Sequence, residues 1–286
     1  MKWRMWLKLG RISNLPTVWT NGLAGWVLSG GVGHAMGLLL LLIALSLFYV
    51  GGMYLNDAFD ALIDARERAD RPIPQGEVSR ATVSVLGSAM LALGAALAFA
   101  LGMSAGLCGL ALVAAIVLYN WLHKRSSWGP VIMGSCRLLT YFTAALSASG
   151  ITWPVLLGAF GLFCHVVGLT YAAKQEAYDR IGAVWPLAVM AVPILVMAFM
   201  LADSLAAALL VGYVLLTCYV LWGAWSLSLL FRRRPGDVPK AVVSLIAGIA
   251  LYDAVLIAAT GAQGLAVLAV IAFIATLALQ KLAPGT

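Results

Sequence analysis

Long apolar runs follow one another from end to end of this chain, each separated from the next by a short polar break. The runs are about 18 to 25 residues long, the length an α-helix needs to cross a hydrocarbon layer of roughly 30 Å. The pattern predicts ten helical spans: 14–31, 37–55, 80–101, 104–122, 130–149, 153–172, 184–202, 205–230, 240–259 and 263–280. Leu, Ala, Gly and Val fill them, and half of the connections are very short, as tight helical hairpins require. The expectation is an all-α polytopic membrane protein, a bundle of nine to ten transmembrane helices forming one domain over residues 1–286. Polar residues gather in two connections, 56–80 and 173–183. Each lies two spans into a unit of four, which hints at a duplicated arrangement.

Composition supports this architecture. The 286 residues are 63% hydrophobic and 10% charged, with a mean hydropathy of +0.99, too little polar surface to coat a soluble globule. The charges also alternate along the chain. Lys and Arg cluster before the first span and after the second, fourth, sixth, eighth and tenth, whereas the connections near His34, Met103, Gly150, Asp203 and Gly261 hold neither. By the positive-inside rule both termini and the basic connections are cytoplasmic, and a cytoplasmic (inner) membrane with its lipid is the expected setting. The net charge of +7 therefore reports topology and calls for no nucleic acid. Arg11, Asn14 and Pro16 interrupt the first span and no small-residue cleavage site follows, so that span is expected to be retained. Cys108, Cys136, Cys164 and Cys218 stand singly without paired spacing, which excludes a disulfide or zinc framework. Trp19, Trp26, Trp121, Trp128, Trp153 and Trp185 are expected at membrane interfaces.

The chemistry concentrates in the first polar connection, Asn56-Asp57-Ala-Phe-Asp60-Ala-Leu-Ile-Asp64, followed by Arg66, Arg68 and Arg71-Pro72-Ile-Pro74. Spacings of three and four put Asp57, Asp60 and Asp64 on one helix face, where they repel one another unless a cation lies among them. Hard carboxylate oxygens suit Mg²⁺, whose octahedron phosphate oxygens and water complete. A solvated acidic helix end paired with Arg66, Arg68 and Arg71 accounts for the same residues. Pro72, Pro74 and Gly76 should end the helix, and Ser79 should cap the next span. In the second connection, Gln175 and Asp179, or Glu176 and Asp179, share a helix face and offer a weaker metal site; an ion-paired loop is the alternative. Arg137, about two turns inside a span, is expected to face a cavity and meet a carboxylate or a substrate. Asp253 is expected to hydrogen-bond a neighbouring helix, His165 to be a satisfied core histidine, and His123 to adjoin the basic loop.

The segment resembles the UbiA superfamily of intramembrane prenyltransferases, whose Asn-Asp-x-x-Asp-x-x-x-Asp signature, Arg-Pro and Pro-x-Gly match Asn56, Asp57, Asp60, Asp64, Arg71-Pro72 and Pro74-Gln75-Gly76. The Tyr119 to Arg125 segment is similar to the family's Tyr-x-x-x-Lys-Arg element. The second motif departs: Gln175 stands where the family usually has the first Asp of Asp-x-x-x-Asp. The resemblance implies Mg²⁺-dependent transfer of a prenyl group from an isoprenyl diphosphate to a lipophilic or aromatic acceptor. It implies catalytic roles for Asp57, Asp60, Asp64, Lys124 and Arg137, and metal binding by Asp57, Asp60, Asp64, Gln175, Glu176 and Asp179. Substrate contacts fall to Arg11, Asn14, Asn56, Arg71, Arg125, Tyr171 and Lys174. Two other classes stay open: a non-catalytic isoprenoid-binding relative, which the altered second motif favours, and a transporter, which the intramembrane Arg137 and Asp253 favour.

Overall fold

Glycine lets two pairs of helices approach almost to backbone contact. A Cβ on Gly51 would lie 2.8 Å from the Gly87 carbonyl oxygen, and one on Gly25 would lie 2.7 Å from that of Tyr141. The computed structural model in which these contacts occur describes residues 2–31, 35–124, 126–174, 184–204, 206–232 and 234–282. All regular structure among them is helical: α1 (Lys2–Leu9), α2 (Leu15–Leu28), α3 (Ala35–Glu67), α4 (Arg80–Leu101), α5 (Met103–Leu122), α6 (Gly129–Ala148), α7 (Trp153–Lys174), α8 (Val192–Ala202), α9 (Ala206–Arg232), α10 (Asp237–Ala259) and α11 (Gln263–Leu282). Successive helices pack on one another from α2 to α11, and α2 also meets α6, α7, α10 and α11.

Each expected span has a helical counterpart, but the elements differ in length. Among the described residues eight helices are long and apolar enough to cross a membrane. The other two are short: α2 has 14 residues and α8 has 11. Seven residues of 3-10 helix, Trp185–Ala191, precede α8; Pro193 lacks the amide that would donate to the Val189 carbonyl, which keeps that stretch from continuing into α8 with α-type hydrogen bonds. In the other direction, α3 runs 33 residues, about 50 Å at 1.5 Å per residue. The acidic signature is therefore no loop but the last turns of a helix longer than the hydrocarbon is thick. The connection proper begins after Glu67, turns through Gly76 at φ +73°, and ends at Ser79, whose Oγ accepts from the Thr82 amide at 3.0 Å.

The centre of the bundle is α10. From Ala241 to Ala258 only Val243 and Ile246 escape full burial, with α2, α7, α9 and α11 packed around it. Its composition resembles that of lipid-facing spans, so neighbours rather than hydropathy set its place. Trp26 corrects the aromatic-belt expectation: it is buried, while Trp19, Trp121, Trp128 and Trp153 are exposed. Its ring lies against Gly31, where a Cβ would meet Nε1 at 2.6 Å. The four cysteines are free. Gly25→Leu is expected to lower stability by about 1–3 kcal/mol through overpacking, whereas Gly223→Leu, with nothing within 4 Å of its Cβ, should be nearly neutral. Thermal unfolding in detergent measures both, and equal midpoints would contradict the close α2–α6 approach.

Candidate active site

The carboxylate face of α3 is neutralised by cations from three other segments. Arg71 Nη1, from the turn after α3, lies 2.8 Å from Asp57 Oδ1 and 3.1 Å from Asp64 Oδ2. Lys124 Nζ, just beyond α5, bridges Asp64 Oδ1 and Asp60 Oδ2 at 3.3 Å each, and His123 Nε2 lies 3.2 Å from Asp60 Oδ2. Arg11, from the segment before α2, approaches Asp57 at 3.7 Å and donates to Asn56 Oδ1 at 3.1 Å. Asn56 in turn donates to Asn120 Oδ1, and Asn120 to the Gly52 carbonyl. These pairs are mostly buried, where losing one partner strands a charge and costs several kcal/mol.

Asp60, Asp64, Lys124 and Asn56 border a cavity of about 950 Å³. Its mouth adds Arg66, Arg68 and Lys174, and its depth is apolar, with Val18, Leu45, Phe48, Leu112, Val166 and Ile249. Lining positions carry seven Lys or Arg against three carboxylates, so the space favours anions at one end and hydrocarbon at the other. Lys174 Nζ donates to the Ser126 carbonyl at 2.6 Å, which ties the end of α7 to the α5–α6 connection at the same mouth.

Asp57 shares the carboxylate face, since one nitrogen of Arg71 reaches both Asp57 and Asp64. It borders a small side pocket with Asp64, Arg71, Pro72 and Ile73 and is not among the residues lining the main cavity; its cationic partners are Arg71 and, at 3.7 Å, Arg11. Asn14 lines the cavity and accepts from Gln280 Nε2 at 3.0 Å. Tyr171 packs on the hydrophobic core instead; Thr170, Ala173 and Lys174 line the cavity, and Tyr171 points off that helix face. Arg125, Gln175, Glu176 and Asp179 lie outside the described residues.

No group of three or more His, Cys, Asp or Glu among the described residues is gathered to hold a metal by itself. The donor set nonetheless suits Mg²⁺. Lys124 Nζ already marks a cation position between oxygens of Asp60 and Asp64, and two carboxylates completed by phosphate and water form a usual Mg²⁺ shell.

Arg11 is presented on a strained turn. At φ 43°, ψ 47° it is the one non-glycine residue with positive φ among those described, a conformation costing roughly 1–2 kcal/mol. Its carbonyl accepts from Tyr49 Oη at 3.1 Å and from the Asn14 amide at 3.0 Å.

A second polar cluster lies deeper. Arg137 Nη1 donates to Asn21 Oδ1 at 2.6 Å and Nη2 to Thr17 Oγ1 at 3.2 Å. Asn21 Nδ2 donates to Asp253 Oδ2 at 2.7 Å, and Tyr141 Oη donates to Asp253 Oδ1. The network joins α2, α6 and α10, as expected for Asp253, and Arg137 borders the cavity. His165 is satisfied by Tyr219 Oη and the Leu245 carbonyl at 2.8 and 2.9 Å. Asn120, Asn21, Thr17 and Tyr49 join these sites unpredicted from the sequence, where an Asn or Thr inside an apolar run was the available signal.

The family model for the UbiA prenyltransferase family matches residues 15–242. The chain belongs to that family. It is 32% identical over 110 residues to the digeranylgeranylglyceryl phosphate synthase of Methanothermobacter thermautotrophicus, covering 38% of this chain and 39% of that one. With the synthase of the same name from Metallosphaera sedula it is 30% identical over 143 residues, 49% of this chain and 50% of that one. The matched stretches thus span half or less of these two relatives. The fold is shared with solved structures of UbiA homologs. One from Aeropyrum pernix in its apo form has a TM-score of 0.66 at 20% identity, covering 86% of this chain and 96% of that one. Another, from Archaeoglobus fulgidus with GPP and Mg²⁺ bound, has a TM-score of 0.61 at 15% identity, covering 88% and 99%.

Arg11 separates backbone from side-chain effects. Arg11→Gly should exceed Arg11→Ala in stability by about 1 kcal/mol, because glycine takes the left-handed conformation without penalty. Paired thermal melts check this; an alanine variant as stable as the glycine one would contradict the strain.

Proposed function

We propose that this UbiA-family chain transfers a prenyl group from an isoprenyl diphosphate to a lipophilic or aromatic acceptor inside the membrane, with Mg²⁺ held at the mouth by Asp60 and Asp64. The observation that carries this reading is the single cavity that begins at an ionic mouth and continues into hydrocarbon lining, the two halves of a prenyl diphosphate. The relatives' naming as synthases of a prenylated glyceryl phosphate, and the Archaeoglobus fulgidus homolog bound to GPP and Mg²⁺, support the same donor class. The distribution of Lys and Arg supports a mouth open to the cytoplasm.

Bound Mg²⁺ supplies Lewis-acid neutralisation of the diphosphate, which makes it a better leaving group. Lys124, Arg66, Arg68, Arg71 and Lys174 add positive charge around the departing oxygens. Asp57 and Asp64 fix the Arg71 guanidinium, and Asn56 and Asn120 fix Arg11. The bond from C1 of the prenyl chain to the bridging oxygen breaks with both electrons going to oxygen, leaving an allylic cation. Tyr119, one turn before His123 in the lining, is the aromatic ring placed to stabilise such a cation, while the apolar walls exclude water. The acceptor's nucleophile then bonds to C1, and its proton passes to the released diphosphate.

Turnover of radiolabelled geranyl diphosphate by the protein in nanodiscs, with a panel of acceptors, tests the proposal. Asp60→Ala and Asp64→Ala should each lower turnover by about 100-fold or more, and chelation of Mg²⁺ should abolish it. Unchanged rates in the aspartate variants would reject their assigned roles. Donor binding without turnover on any acceptor would identify a non-catalytic isoprenoid carrier.

A further inference from the structure

The first helix packs on the bundle by one side only. Met5, Trp6 and Leu9 of α1 meet Tyr54 and Ala58 of α3 and Val83 of α4. Trp3 and Leu7, one turn apart, are instead 60% and 36% exposed. Arg4 and Lys8, again one turn apart, are exposed as well. At 100° per residue the exposed apolar stripe lies between the packed side and the basic one. Eight residues are too few to hold a helix in water without support, and the bundle supports this one through a single face.

The depth of α1 is set by its neighbours. Val83 is one turn into α4 from Arg80, whose Nε donates to the Ala58 carbonyl at 2.8 Å, and Ala58 follows Asp57 of the ionic rim. The helix therefore lies where the apolar spans meet charge, which is the level of lipid headgroups. Among the described residues the ion-paired carboxylates are Asp57, Asp60, Asp64 and Asp237, and none of their pairs includes Arg4 or Lys8. Arg4 lies over the Trp3 ring, with Cζ 5.5 Å from the centroid, an arrangement that keeps the N–H edge of the guanidinium open to an anion.

We propose that α1 is a binding site for anionic phospholipid. Trp3 and Leu7 enter the acyl boundary, and Arg4 and Lys8 take phosphate oxygens of the headgroups beside them. A net-anionic headgroup is preferred to a zwitterionic one, whose own ammonium offsets the attraction. The bilayer, rather than an acidic protein, is the occupant, because the apolar and basic stripes adjoin on a helix that already lies at headgroup level. The anchored helix leads directly into the ionic rim: the Gly10 and Arg11 amides donate to the Trp6 and Lys8 carbonyls at 3.0 and 3.1 Å, and the Arg11 side chain continues to Asn56. This inference does not depend on the reaction proposed above.

Photo-crosslinking in nanodiscs made of equal parts phosphatidylglycerol and phosphatidylcholine tests it, with the captured lipid identified by mass spectrometry. Leu7→benzoylphenylalanine should capture phosphatidylglycerol over phosphatidylcholine by at least about fivefold, the worth of one basic side chain near an anionic surface. Adding Arg4→Gln and Lys8→Gln should bring that ratio to parity. Leu210→benzoylphenylalanine, at a position on α9 that is 75% exposed, should capture both lipids equally with or without the two glutamines, which also reports that the altered protein is inserted. Parity at position 7 in the otherwise unaltered chain, or a preference that survives both glutamines, overturns the headgroup site. Lipid adducts at position 210 with none at position 7 would take α1 off the bilayer altogether and leave an acidic protein as the occupant of its basic face.

Discussion

Three carboxylates on one face of a membrane helix cannot remain charged without cations, and the arrangement of this molecule's ionic end answers that requirement. Arg71, Lys124 and Arg11 arrive from separate segments to meet Asp57, Asp60 and Asp64. Their convergence closes the connection after α3 over the bundle and draws the ends of α5 and α1 toward it. Attraction and desolvation nearly cancel in such a buried network, so its main effect is to fix geometry. It also leaves the cavity with an ionic rim above an apolar interior.

The scaffold that holds this rim is stiff for reasons of packing. Glycines bring α3 against α4 and α2 against α6, so the acidic helix is braced along its length. The polar network from Arg137 to Asp253 ties α2, α6 and α10 together at depth, through the fully buried Thr17, Asn21 and Asp253. The same ties make the cavity's depth a defined surface. The strained backbone at Arg11 is affordable because Tyr49 and Asn14 both hold its carbonyl.

Much of this was legible in the sequence. The apolar runs placed a helix at every expected span, since length and hydropathy mark what can cross a bilayer, although α3 runs on to Glu67 where 55 was expected, and the three-and-four spacing put Asp57, Asp60 and Asp64 on one face. Other features depend on neighbours. Nothing in the composition of α10 marks it as central, and Trp26 is buried because of what packs on it. The spacing rule put Asp57 with its partners, and Arg71 bridges it to Asp64, but the turn that brings Arg71 there follows a path that periodicity does not encode. Tyr171 is adjacent in sequence to Thr170 but misses the cavity because one residue rotates a side chain by about 100° around a helix. α2 and α8 were expected longer, and the proline at 193 explains the second case.

The central claim is that the cation now bridging Asp60 and Asp64 stands where a divalent metal is held when a diphosphate enters. Anomalous scattering from crystals grown with Mn²⁺ and a non-hydrolysable geranyl thiodiphosphate tests it most directly. The account predicts a manganese signal bound by both carboxylates, with the Lys124 ammonium turned toward phosphate. A diphosphate seated with the Lys124 bridge intact and no metal at Asp60 or Asp64 would contradict it.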